Sequence, residues 1–202
     1  MTSPAAGQPA TRRDELLELA ATMFAERGLR ATTVRDIADS AGILSGSLYH
    51  HFSSKEEMVD EVLRGFLDWL FERYEEIVAT ESNPLERLKG LFMASFEAIE
   101  DRHAQVVIYQ DEAKRLAGQE RFSYVEKRNQ EQRKMWLDLL DQGIADGYFR
   151  PDIDVDLVYR FIRDTTWVSV RWYQPGGPLT AEEVGRQYLS IVLGGITKEG
   201  VQ

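Results

Sequence analysis

The sequence predicts an all-α fold of about nine helices, and three observations carry that reading. A hydroxyl side chain stands three residues before an acid at Thr11/Asp14, Thr33/Asp36, Ser54/Glu57 and Thr180/Glu183, the reciprocal pattern that satisfies orphan donors at a helix start. Apolar residues recur every three or four positions between such starts, as in Val59, Val62, Phe66, Leu70, Tyr74 and Ile77. Strand signals are scarce: β-branched residues fall in helical register, and no Asn-Gly or Asp-Gly pair joins two alternating runs.

Residues 1–10 are small and polar with Pro4 and Pro9, and read as a disordered arm. Three short helices follow at about 11–27, 34–41 and 45–51, the first closed by Gly28 and the second by Gly42. The second and third are too short to be stable alone, so they must pack on the first. A three-helix cluster with a tight glycine turn is the helix-turn-helix arrangement. Six further segments are expected at 55–80, 84–100, 103–109, 111–145, 154–173 and 181–198. Asn83-Pro84 opens the second of these, with proline where its missing N–H is harmless. Gly147, Pro151 and Gln174–Pro178 separate the last three. The chain therefore divides into the arm, residues 11–54 and a larger helical unit over 55–202, without internal repeats.

With 202 residues, 43% of them hydrophobic, the chain can bury a sizeable core. It has no cysteine, so disulfides and thiolate metal sites are excluded. The start lacks the basic and apolar stretches of a signal peptide, and apolar runs such as Ile191-Val192-Leu193 fall far short of the roughly 20 residues a membrane helix needs. A cytoplasmic protein with no membrane partner is the expectation. The net charge of −10 is unevenly spread: residues 1–55 carry as many basic as acidic groups, so the whole excess lies beyond them. No acid occurs between Asp39 and Glu56, which leaves a neutral-to-basic surface open to a polyanion. Charge alone fits a stretch merely poor in charge equally well.

Residues 32–57 are the most informative. Val34, Ile37, Ala38 and Ala41 form the inner face of the second helix, Gly42 permits a left-handed turn, and Ile43, Leu48 and Phe52 anchor the third helix. Ser45, Gly46, Ser47, Tyr49 and His50 are left facing outward, small or amphipathic groups that let a helix enter a major groove about 12 Å wide. His51 shares the inward turn with Phe52 and reads as structural.

In Thr32-Thr33, Ile37-Ala38, Ala41-Gly42, Gly46-Ser47-Leu48-Tyr49, His51-Phe52 and Lys55-Glu56, the chain resembles the N-terminal signature of TetR-family regulators. The resemblance implies a repressor that grips operator double-stranded DNA as a homodimer and lets go when a small molecule enters its C-terminal domain. It implies phosphate contacts from Thr33, Arg35 and Lys55, base-edge contacts from Ser45, Gly46 and Ser47, and a clamp from Tyr49 and His50, with Arg12 and Arg13 adding contacts from the arm. Leu44 departs from the pattern, standing where the family has a capping serine. Either Ser45 caps instead, or Leu44 offers an apolar contact to a thymine methyl.

The effector region is less legible. Arg163 and Trp167 lie one turn apart in a helix rich in apolar residues, so the guanidinium faces inward and needs an anion. An internal salt bridge, to a partner's Asp164 or a nearby Glu, and an acidic ligand both satisfy it. Phe92, Phe96, Tyr124, Arg115 and Arg128 are further candidate pocket residues. Together with the unusual Leu44 segment, the Arg163/Trp167 helix resembles the actinobacterial TetR regulators of ketosteroid and cholesterol-ring catabolism. That resemblance implies an effector that is a coenzyme A thioester of a bicyclic steroid remnant.

No metal or cofactor is expected, since His103 with scattered acids makes a weak constellation. Without a phosphate-cradling glycine loop or a nucleophile elbow, no catalytic set assembles. Trp172, Val184, Tyr188, Ile191 and Val192, with Gly194-Gly195 permitting close approach, are the expected dimer interface. The alternative function is a ligand-binding protein of the same fold that activates transcription or has lost DNA binding.

Overall fold

A computed structural model describes residues 11–116, 118–198 and 200. Among them are nine α-helices: α1 Arg12–Arg27, α2 Val34–Ser40, α3 Ser45–Leu48, α4 Lys55–Thr80, α5 Pro84–Asp101, α6 His103–Leu116, α7 Ser123–Ala145, α8 Val155–Val168 and α9 Ala181–Ile196. Short 3-10 turns precede α7 (Glu120–Phe122) and extend α8 (Ser169–Arg171). A lone antiparallel bridge pairs Phe149 with Thr197. The sequence places the break after residue 109, but α6 continues through Asp111 to Leu116. The chain breaks instead around Gly118, a helix-breaking residue that the periodicity reading passed over.

The helix starts follow their caps. Thr11, Thr33 and Thr180 each form the full reciprocal box. Ser54 accepts from the Glu57 N–H at 3.1 Å, but the Glu57 carboxylate turns back to the Ser53 N–H at 2.6 Å, so this box is only half formed. Gly28 and Gly42 take positive φ (83° and 67°) and allow α1 and α2 to end in sharp turns.

One hydrophobic core runs through the molecule. In the first unit Ile37, Ala38, Leu48 and Phe52 pack under α1. In the second, α5 lies at the centre against α4, α7 and α9. Phe66, Tyr109 and Trp167 form an aromatic triangle, and in a second group Phe96 packs tilted against Phe92 and edge-on to Tyr188. The buried Tyr74 hydroxyl meets Ser95 Oγ at 2.6 Å, and burial pushes its pKa up.

The expected dimer residues divide between two faces of α9. Val184 and Val192 are each only 5% exposed and pack within the subunit, where Gly185 lets α9 approach Met93 and Phe96 of α5. Tyr188 is half-buried between Phe96 and Trp172, whereas Ile191 is 66% exposed. Helical spacing identified apolar positions but not which of two faces each belongs to.

Two glycine substitutions test this packing in opposite directions. Gly65 lies mid-α4 with open space at its Cβ position, so Gly65→Ala raises unfolding free energy by ~0.5–1 kcal/mol. A Cβ at Gly143 would overlap the buried Phe149 ring, so Gly143→Ala lowers it by ~1–3 kcal/mol. Denaturant melts read both, and equal signs would contradict the packing described.

Candidate nucleic-acid interface and effector cavity

The candidate reading head is α3 with the turn after it. Gly46, Tyr49 and His50 are exposed, and Ser45 and Ser47 are half-buried at its edge. Leu44 occupies the N-cap position in extended conformation, 79% exposed and making no capping bond. Ser45 is the first helical residue, so it does not take over as cap, and α3 starts uncapped behind an exposed leucine. Thr33 and Arg35 stand at the start of α2. The Thr33 hydroxyl and N–H both donate to Asp36, holding that carboxyl below its usual pKa, and Arg35 reaches out with only a 3.7 Å contact to Asp39.

Three cations sit differently from expectation. Arg12 and Arg13 belong to α1 rather than to a free arm. Arg13 forks onto both carboxylate oxygens of Glu61, lies 4.4 Å over the Phe52 ring and donates to the His51 carbonyl, so it locks α1 to α4. Arg12 bonds Glu15 and the Ala41 carbonyl. Lys55 donates to the carbonyls of Leu29 at 2.7 Å and Thr32 at 2.9 Å. Apart from Arg12–Glu15, these contacts join residues 23 to 48 positions apart, which local sequence patterns do not register.

A cavity of about 320 Å³ opens between α6, α7 and α8. Tyr109 and Trp167 supply its aromatic wall, Asn129 and Gln132 its amides, and Arg133 and Arg163 its cations. Tyr109 bonds Asn129, and desolvation raises the pKa of the Tyr109 hydroxyl. Arg163 pairs with Asp164 of its own chain at 2.7 Å and lies 5.6 Å from the Tyr159 ring centre, while Arg133 pairs with Asp156 at 2.6 Å. The guanidinium thus has an internal salt bridge, to the adjacent residue. Its bond to Asp164 raises the Arg163 pKa further, so the group stays charged.

Of the expected pocket residues only Arg163 and Trp167 share this cavity. Phe92 is fully buried core, and Phe96 borders a separate acidic groove of about 680 Å³ between α4, α5 and the start of α9. Arg115 pairs with Glu112, and Arg128 pairs with Asp68 and Glu131 while lying over Phe71. Tyr124 donates to the Asp60 carbonyl beneath the Arg64 guanidinium, outside the cavity. Sequence reasoning missed Tyr109, Asn129, Gln132, Arg133 and Tyr159. A signal for Tyr159 existed, since Tyr159, Arg163 and Trp167 recur at four-residue spacing on one face of α8. Among the described residues no metal-binding cluster occurs, and no helix is long and apolar enough to cross a membrane.

Residues 16–62 match the family described as bacterial regulatory proteins, tetR family, and residues 81–196 match the tetracyclin repressor-like C-terminal domain. The chain belongs to the TetR family. The HTH-type transcriptional repressor KstR2 of Mycobacterium tuberculosis (strain ATCC 25618 / H37Rv) is 82% identical over 97% of this chain and 98% of that protein. KstR2 of Rhodococcus jostii (strain RHA1) is 62% identical over 92% of this chain and 91% of its own. The solved structure of the ketosteroid transcriptional regulator KstR2 of Mycobacterium tuberculosis superposes with a TM-score of 0.94 at 81% identity, covering 96% of this chain and 99% of that one. This TetR-family chain is accordingly a transcriptional repressor and not an enzyme, in a family that binds operator DNA, typically as dimers, and small-molecule ligands.

The cap beneath the reading head predicts a pH dependence. Folding lowers the Asp36 pKa, so this cap stabilises the fold above the ordinary carboxylate range near ~4, and the contribution is lost as pH falls through the lowered value. Wild type is therefore more stable than Asp36→Ala at pH 7, and the two converge in acid. A gap that stays constant from pH 7 to pH 3 contradicts the cap.

Proposed function

We propose that this repressor binds its operator as a homodimer through α3 and is released by a coenzyme A thioester of a bicyclic steroid remnant, held in the α6–α7–α8 cavity. The observation that carries the effector reading is the chemistry of that cavity: an aromatic wall from Tyr109 and Trp167, with the guanidinium groups of Arg133 and Arg163 on the same lining. A fused apolar ring fits the aromatic wall, and phosphates fit the arginines, whose planar forks favour such anions. A space of about 320 Å³ accommodates the ring end, with the nucleotide end extending outward. The name of the solved Mycobacterium tuberculosis relative, a ketosteroid regulator, agrees with this class of ligand.

On the DNA side, Ser45, Gly46 and Ser47 meet base edges, Tyr49 and His50 clamp the strand, Thr33 and Arg35 approach phosphates, and Leu44 meets a thymine methyl. The dimer forms through the outer faces of α8 and α9 and the turn after α8, where Leu157, Phe161, Val168, Trp172 and Ile191 are each exposed.

A mobility shift on the DNA upstream of the protein's own gene, repeated with such a thioester and with free coenzyme A, tests the release. Binding is relieved by the thioester alone; relief by neither discards the effector, and no shift on any nearby fragment discards operator binding by this chain. Arg163→Ala keeps operator affinity but needs about tenfold or more thioester for release, corresponding to one lost charged contact of ~1.5–3 kcal/mol. Ile191→Asp shifts light-scattering mass from twice 23.1 kDa toward a single chain, and an unchanged mass places the interface elsewhere.

A further inference from the structure

Lys55 opens α4 and, by family resemblance, faces DNA phosphate, yet its ammonium is already engaged. It donates to the Leu29 carbonyl at 2.7 Å and to the Thr32 carbonyl at 2.9 Å. Both carbonyls belong to the turn between α1 and α2, which is otherwise tightly built. Gly28 takes φ 83°, Leu29 and Thr32 are buried, and the Thr32 hydroxyl reaches the carbonyls of Met23 at 3.2 Å and Gly28 at 3.0 Å. Among the described residues, the Lys55 ammonium is the hydrogen-bond donor to the Leu29 and Thr32 carbonyls, which lie past the end of α1 and have no helical partner. The next residue, Thr33, is the cap of α2. One ammonium group therefore ties the start of α4 to the turn that leads into α2. Swinging it out to a phosphate would strip two partly buried carbonyls of their donor, a loss that offsets the gain of a solvent-screened phosphate contact.

We infer that Lys55 is a positioning residue for operator binding, which fixes the N-terminus of α2 against α4 and makes no phosphate contact. Neither Leu29 nor Thr32 needs to touch DNA for this, because the effect is delivered through Thr33 and Arg35. Since α4 also carries Phe66 against Tyr109 and Trp167, Lys55 links the α1–α2 turn to a helix that borders the cavity. The inference rests on operator binding by the helix-turn-helix.

The decisive comparison is the salt dependence of operator affinity for wild type and Lys55→Met, which keeps the aliphatic stem and removes the ammonium. The expected result is an affinity about tenfold lower with an unchanged slope of log affinity against log salt. A slope shallower by about 1.8, one phosphate in each of two subunits at about 0.9 apiece, overturns the inference. An unchanged affinity overturns it as well. Lysine acylation of the unmutated protein, followed by mass spectrometry, tests the same point should Lys55→Met not fold. Lys55 reacts slowly relative to the exposed Lys127 and Lys134 in the free protein, and operator DNA leaves its rate unchanged. Labelling as fast as Lys127 in free protein, with protection appearing only on DNA, overturns the inference. If wild type binds no operator, the operator reading fails, while labelling of the free protein still decides whether the ammonium is held.

Discussion

The structure depends on α4 being one uninterrupted helix. Its first half buries Met58, Val59, Val62, Leu63, Phe66 and Leu67, and its second half buries Leu70, Tyr74 and Ile77, all in a single continuous core. The helices α2 and α3, seven and four residues long, have no independent stability and exist because α1 and α4 give them a surface to lie on. The same helix touches both ends of the regulatory problem. Glu61 and Lys55 hold α1 and its turn, and Phe66 meets two residues of the cavity wall. One helix thus packs into both units of a single close-packed core.

How much of this was legible in the sequence depended on the range of the interactions. The helix starts at Thr11, Thr33 and Thr180 were readable because a cap and its acid lie three residues apart. The glycine turns at Gly28 and Gly42 were readable because a positive φ leaves glycine as the natural choice. At Ser54 the local rule half failed, since Glu57 found a nearer partner in Ser53. The break near Gly118 was missed because the apolar and polar residues around Asp111 continue a helix as readily as they end one.

The cavity was far less legible. Its members come from three helices, and which face of each helix looks inward follows from how the helices rotate against one another, something no single helix encodes. Arg128 and Arg163 carry the same side chain in similarly amphipathic surroundings, yet one covers Phe71 at the surface and the other lines the cavity. Arg13 was misread for a related reason: its partners Glu61 and Phe52 are dozens of residues away.

The cavity's arginines are not bare. Arg163 and Arg133 each hold an aspartate from α8, so the free protein presents a nearly neutralised lining. An anion entering from solution must displace a carboxylate that is tethered and always present at high local concentration, so charge alone yields little net gain. Inorganic phosphate and small organic acids, abundant in any cell, meet that competition without a ring to lay against Trp167. Under the proposed effector reading, the built-in aspartates act as a discriminator against the ordinary anion background and favour ligands that bring an apolar body with their charge.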